Sequence, residues 1–379
     1  MSHPPATFTQ LLSHFDALED PRTPYLVTHP LMGIIGLTLC AVICGANSWV
    51  EIENYGKSKQ EWLKTFLELP QGIPSHDTIA RLFAALEPTQ CQQCFLSWTQ
   101  AIADLSQGEV IAIDGKTLRH SYDKAQEQGA IHMISAWATG QHLILGQLKV
   151  DEKSNEITAI PRLLEMLDIE GCIVTLDAMG TQTAIAQQII EANADYVLSL
   201  KGNQGNLHDE VVQLFELAQQ QPPTGVPWEF HQTLNAAHGR IEVRRYYLLG
   251  GVEYLVGAQR WVGLQRVGMV ESERRIAGEP PSLERRYYLL SSAGGVEQFA
   301  QAVRSHWGIE NQVHWVLDLT FREDDCRIRK DHAPENLALI RHLALNCLYR
   351  ARTRYKGSIR SHRLKAGWDD QHLLRILSA

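Results

Sequence analysis

Apolar positions recur at helical spacing through five separate blocks of the first hundred residues: 7–18, 31–44, 49–66, 76–86 and 91–105. The breaks between them hold Asp20-Pro21, His29-Pro30, Pro70-Gln71-Gly72-Ile73-Pro74 and Glu87-Pro88, all of which stop helices or make turns. Ser75 is a good N-cap for the fourth block. Its Ile79, Leu82, Phe83 and Leu86 fall on one face and leave His76, Asp77 and Arg81 on the other. Residues 1–105 are therefore predicted to form a helical N-terminal domain. A short helix after a tight turn also has the outline of a helix-turn-helix DNA reader, and core packing explains it equally well.

The rhythm changes at Glu109. Val110-Ile111-Ala112-Ile113 is a continuous apolar run that ends in Asp114-Gly115-Lys116, the form of a central strand delivering an acid at its C-terminal end. Strand-like runs follow at 130–138 and 142–150, with Thr139-Gly140-Gln141 as the turn between them. A helix is expected at 156–167, a strand at 172–177 ending in Asp177, a helix at 181–194 and a strand at 196–200. Three strands followed by alternating helices and strands predict an α/β fold, a mixed sheet flanked by helices. After a helix at 206–220 and a Pro-rich link at 221–227, arginine- and tyrosine-rich strands at 241–249, 263–276 and 283–292 suggest a β-rich insertion spanning about 203–293. Helix resumes at Val296, runs past Glu310 to about Phe321, and a long helix is expected at 334–350. The catalytic unit would then be 106–350, followed by a tail at 351–379.

Polar groups presented where strands end are the usual place for a site in an open α/β sheet. One Asp at a strand end is commonly a capping residue. Asp114 and Asp177 do this together, each followed by a small residue, Gly115 or Ala178, that would let a ligand approach. A third acid comes from the helix around Glu310. Positions four apart on a helix drift by only about 40°, so His306, Glu310, His314 and Asp318 form one polar stripe opposite Ile309, Val313, Val316 and Leu317. An internal salt-bridge ladder would produce the same pattern.

Charge alters the picture. The 379-residue chain carries a formal net charge of −8, which taken alone argues against a polyanion partner. From Arg327 to Ala379, however, twelve Lys and Arg face four Asp and Glu, a local balance of +8 against −16 for the rest. Such a basic tail is the footprint of nucleic-acid binding, with a solvated helix face as the alternative. Seven cysteines, an odd number, and a start lacking a basic region with an apolar core point to a reducing, cytoplasmic setting. The longest apolar stretch, 31–46, has 16 residues and is too short to span a bilayer, which takes about 20, so no membrane partner is expected.

Several longer motifs occur in order: Ile113-Asp114-Gly115-Lys116-Thr117-Leu118-Arg119, the stretch from Asp151 to Pro161, Thr175-Leu176-Asp177-Ala178-Met179-Gly180, and His306-Trp307-Gly308-Ile309-Glu310-Asn311 through Glu323-Asp324. With Asp20-Pro21-Arg22, Gly72 to Thr78 and the basic tail, they resemble the H-repeat-associated DDE transposases of bacterial insertion sequences. The resemblance implies a ribonuclease-H-like core interrupted by an insertion, with Asp114, Asp177 and Glu310 as the acidic triad holding two Mg²⁺ ions, or Mn²⁺ in their place. It further implies double-stranded DNA as substrate, a homodimer on that DNA and a cytoplasmic, nucleoid-associated protein. Carboxylates suit this chemistry, because hard oxygen ligands leave a cation free positions for water and phosphate. A related Tyr, Arg, Glu, Lys signature would put Arg four before Glu310 and Lys seven after. His306 and Leu317 stand there instead, leaving Arg304, His314 and Arg322 as nearby phosphate contacts. Lys116, Lys201 and Arg240 are further DNA-backbone candidates.

Other signals carry less. Cys91 and Cys94 have zinc spacing without a second pair, and Cys40 and Cys44 sit in the most apolar block, so both pairs are expected in core. A zinc site at His306, Glu310 and His314 would leave the two aspartates without purpose. Trp261 is expected to be buried, although a lone Trp can also stack on a displaced base. Besides a transposase, two other functions fit: a transposase-derived DNA-binding protein that has lost catalysis, and a metal-dependent hydrolase of small phosphoesters or RNA.

Overall fold

The structure, a computed structural model, describes residues 6–122, 129–151, 155–221, 225–237, 239–276 and 278–379. Glu152, Lys153 and Ser154 of the motif from Asp151 to Pro161 and residues 222–224 of the Pro-rich link lie outside the described residues.

The N-terminal blocks fold as helices α1 Ala6–Ser13, α2 Leu31–Ile43, α3 Trp49–Ser58, α4 Gln60–Leu63, α5 His76–Ala85 and α6 Pro88–Ile102. The expected helix at 49–66 is split because Lys59 leaves the helical region. Ser75 caps α5 as expected, its side chain accepting from the Thr78 N–H, and Ile79, Leu82 and Phe83 are buried. Then come β1 Val110–Thr117, β2 His132–Ala138, β3 Leu143–Val150, α7 Glu156–Glu165, β4 Ile173–Leu176, α8 Thr183–Glu191, β5 Asp195–Leu200 and α9 Asn206–Gln220. β1 pairs antiparallel with β2 and β2 with β3, whereas β1 pairs parallel with β4 and β4 with β5. This order, 3-2-1-4-5, is the ribonuclease-H-like sheet.

The insertion strands do not form a separate sheet. β6 Trp228–Ala237, β7 Arg240–Leu249, β8 Arg266–Ile276 and β9 Ser282–Leu290 extend the same sheet, because β9 pairs antiparallel with β5. The described strands thus make one nine-stranded sheet in the order 3-2-1-4-5-9-8-7-6. β5 would otherwise present a row of unpaired backbone groups, and β9 satisfies them. The sequence reading omitted β6. It is an edge strand in which Trp228 packs on the core while Phe230 and Leu234 are exposed.

Helix α10 Val296–Gly308 crosses the sheet, with Phe299 packed edge-on between Tyr246 and Tyr288. Gly268 of β8 makes this approach possible, since a Cβ there would lie 2.5 Å from the Phe299 ring. A π-helical turn at Ile309–His314, helix α11 Trp315–Thr320, a 3₁₀ turn at Glu323–Asp325, α12 Ala333–Arg354, α13 Ile359–Trp368 and α14 Asp370–Leu377 complete the chain. The tail expected at 351–379 is folded into the molecule. α12 to α14 share one apolar core with α1 to α6, and Arg363 reaches the carbonyls of Val42 (2.7 Å) and Thr320 while lying over the Phe321 ring. Arg341 and Arg363 are 3% and 4% exposed, so part of the positive charge counted in the sequence is interior.

All seven cysteines are free thiols; Cys40, Cys91 and Cys94 are buried, as is Trp261. Among the described residues no helix is long and apolar enough to cross a membrane.

Candidate active site

Asp114 lies within β1, two residues past the last one paired with β4, and the strand runs on to Thr117 rather than ending at the acid; Asp177 follows β4 directly. The two strands are parallel neighbours, with Ala112 opposite Thr175, so both acids leave the sheet at the same end. Glu310 arrives on the π-helical turn after α10 has crossed that sheet. All three carboxylates line one cleft of about 420 Å³, together with Lys201, His208, Arg286, His306 and Trp307.

The polar stripe around Glu310 faces the sheet. His306 Nδ1 is 2.9 Å from Thr175 Oγ1, His314 Nδ1 is 3.4 Å from Asp114 Oδ2, and Asp318 Oδ1 is 2.6 Å from Lys116 Nζ. Ile309, Val313, Val316 and Leu317 are buried behind it. The sequence pattern gave no sign of the π turn, which adds a residue to the helical turn at the position of Glu310, a distortion common where a helix carries function.

Burial pushes the Asp114 carboxyl up to about 7; a hydrogen bond from the Gly115 N–H opposes this, and the charges of Glu310, Asp177 and Glu156 reinforce it. Asp177 Oδ1 accepts from the N–H groups of Met179 (3.0 Å) and Gly180 (3.1 Å), which fixes the turn after β4. Burial drives His306 down to about 4 and His314 to about 3, the latter helped by the charge of Lys116, so both imidazoles are neutral near pH 7. Gly115 does not leave room for a ligand. A Cβ there would collide with the Glu156 carboxylate and the His132 ring, which are paired at 2.6 Å. Sequence reasoning missed Glu156. Its signal was its place as the first acid of α7 within the motif from Asp151 to Pro161.

An oxygen donor set of three carboxylates fits a hard divalent cation, and a cation would relieve the like charges that add to the effect of burial on Asp114. Among the described residues, no three His, Cys, Asp or Glu side chains are gathered into a ready metal-holding group, so the acids share a cleft without being drawn together. The same holds for the zinc alternative, since His306, Glu310 and His314 are not gathered into such a group either.

Two expected DNA contacts are occupied elsewhere. The Lys116 ammonium meets Asp318 (2.6 Å), Glu323 (2.8 Å) and Asp324 (3.5 Å), with 10% of the side chain exposed. His314 lies against Asp114 with 12% of its side chain exposed. Lys201 is exposed at the cleft. Arg240 and Arg304 line a second cavity of about 710 Å³ that adjoins the first through Glu284, Arg286, Tyr288, Val303 and Trp307. Arg322 is exposed and paired with Asp325 at 3.0 Å. Strand alternation places Arg244, Arg274 and Arg286 on the same face as that cavity, while Arg245 and Arg285 pair with Glu271 on the other. That period of two was the available signal for these additional arginines.

Residues 105–347 match the family described as Transposase DDE domain, and residues 12–99 a companion family described as DDE_Tnp_1-associated. "Putative protein YbfL" and "H repeat-associated putative transposase YhhI", both of Escherichia coli K12, are each 41% identical over 373 residues, covering 97% of this chain and 98% of the relative. A cryo-EM structure of the piggyBac transposase synaptic complex with hairpin DNA aligns over 98% of this chain and 79% of that one, with a TM-score of 0.46 and 11% identity. Matched in family over 105–347 and nearly end to end by its relatives, the chain belongs to the DDE transposases, in the H-repeat-associated group.

Proposed function

We propose that the protein is an active insertion-sequence transposase. It binds the terminal inverted repeats of its element in double-stranded DNA, hydrolyses a phosphodiester there and transfers the freed 3′ end to target DNA. The observation that supports this reading best is that Asp114, Asp177 and Glu310, from three elements distant in sequence, line one cleft.

In this reading those three carboxylates hold Mg²⁺, or Mn²⁺. Two bound divalent ions would activate the attacking oxygen and stabilise the leaving one. Neutral His306, tied to Thr175, keeps the wall beside Asp177 in place without adding charge. Lys201 at the cleft and Arg240, Arg274 and Arg304 along the adjoining cavity hold the strand's phosphates, which positions the DNA without reading its sequence. The N-terminal helical region, 1–105, assists in DNA binding, and two copies pair on the DNA at the nucleoid.

The test uses the purified protein, DNA carrying the inverted repeats that flank its gene, and Mg²⁺. Wild type nicks the repeat ends. Asp114→Asn, Asp177→Asn and Glu310→Gln each abolish nicking and leave gel-shift binding intact. Near wild-type cleavage by any one of them removes that residue from the triad. Wild-type binding without cleavage in Mg²⁺ or Mn²⁺ favours a transposase-derived DNA-binding protein, and turnover without repeat DNA favours a general phosphoesterase.

A further inference from the structure

Lys116 shares a strand with Asp114 two residues away, so the two side chains leave the same face of β1. An ammonium has three N–H donors. Here three carboxylates surround it: Asp318 of α11 and Glu323 and Asp324 of the following turn. The cluster is balanced by two more cations. Arg341 of α12 is 3.4 Å from the other oxygen of Glu323, and Arg119 beyond β1 is 3.2 Å from Asp324. Lys116, Glu323 and Arg341 form the buried centre of the cluster, with side chains 10%, 2% and 3% exposed, while Asp318 and Asp324 are half-buried and Arg119 lies in solvent. Buried charge pairs tolerate few alternative geometries, because a displaced partner leaves an uncompensated charge behind.

The cluster lies where it can govern the site. α11 continues without a break from the π turn that carries Glu310. The segment from Glu310 to Asp324 therefore meets β1 at two places: neutral His314 lies 3.4 Å from Asp114, and the carboxylate trio grips Lys116. We propose that Lys116 is a positioning residue, which sets the register of the Glu310 helix against the strand bearing Asp114 so that the three acids share a cation. The inference rests on the active-site reading above. It gives Lys116, two residues from an acid of the triad, a role inside the protein and none on DNA.

The experiment is calorimetric titration of Mn²⁺ into the full-length protein without DNA, beside thermal melts, for wild type, Lys116→Met, Asp318→Asn and the double variant. Groups bonded directly to metal ligands typically govern affinity by about 10–100-fold, and Lys116, which acts on Glu310 through the helix, belongs at the lower end of that range. Each single variant is expected to raise the Mn²⁺ Kd by about tenfold or more, and the double variant by no more than the worse single, because Asp318 acts through Lys116. A purely architectural lysine would lower the melting temperature and leave the Kd of the folded protein unchanged, and that result overturns the proposal. Losses that multiply in the double variant overturn it too, since Asp318 would then act on the cation independently. Should Lys116→Met fail to fold, Asp318→Asn decides alone, because it leaves the ammonium paired with Glu323 and Asp324; an unchanged Kd there refutes the idea. Wild type that binds no Mn²⁺ removes both the site reading and this inference. Wild type that binds Mn²⁺ but cuts no DNA removes only the proposed function.

Discussion

Replacing Glu323 with Gln keeps the volume of a buried side chain and deletes its charge. Burial alone would raise this carboxyl, yet the charges of Lys116 at 2.8 Å and Arg341 at 3.4 Å hold it at about 2, against an ordinary value of 4.5. A depression of about 2.5 pH units, at 1.36 kcal/mol each, corresponds to about 3 kcal/mol of stability. Breaking one side of a buried ion pair costs a similar amount, about 3–5 kcal/mol, because Arg341 is left buried without its carboxylate. The sign follows from the direction of the shift. A carboxyl depressed in the folded state stabilises fully above its unfolded pKa of 4.5, and that contribution is lost as pH falls toward about 2. Urea unfolding in EDTA should therefore show Glu323→Gln less stable than wild type by about 3 kcal/mol at pH 7, narrowing to about 1 kcal/mol at pH 3. A gap under about 1 kcal/mol at pH 7, or one that stays constant down to pH 3, would refute the reasoning.

Gly268→Ala places a methyl 2.5–2.9 Å from three atoms of the Phe299 ring, which is held between Tyr246 and Tyr288 and cannot swing aside. Calorimetry should find about 1–3 kcal/mol lost to overpacking; an unchanged melting temperature would mean α10 is not seated this tightly. Arg240→Ala and Arg304→Ala, on the cavity beside the acidic cleft, should each reduce the slope of log affinity against log salt by about one for any DNA sequence. An unaltered slope would show that the arginine meets no phosphate. Burial raises the Cys91 thiol to about 12 and lifts Cys94 as well, so iodoacetamide at pH 8 should label neither until the protein unfolds. Stoichiometric zinc on that pair in the native protein would contradict the core assignment.

What local pattern could encode was legible. The apolar runs before Asp114 and Asp177 marked buried strands that carry acids, although β1 runs on past Asp114 to Thr117, and four-residue spacing put His306, Glu310, His314 and Asp318 on one polar stripe. Each depends on neighbours within a few residues, where strand or helix periodicity fixes direction. Other features depend on partners hundreds of positions away. Lys116 looked like a phosphate ligand because nothing near it in sequence foretold Glu323 or Asp318. The arginines of the tail looked like surface charge, yet Arg363 packs on Phe321 and reaches the carbonyl of Val42. The arginine- and tyrosine-rich strands looked like a module of their own, until β9 found the open edge of β5. The sequence by itself determined which residues form strands, which helix face is polar and where acids emerge. Only the tertiary structure decided which sheet edge is filled and which cations are already neutralised, since backbone pairing and charge compensation are settled by whatever the closed chain brings within a few ångströms.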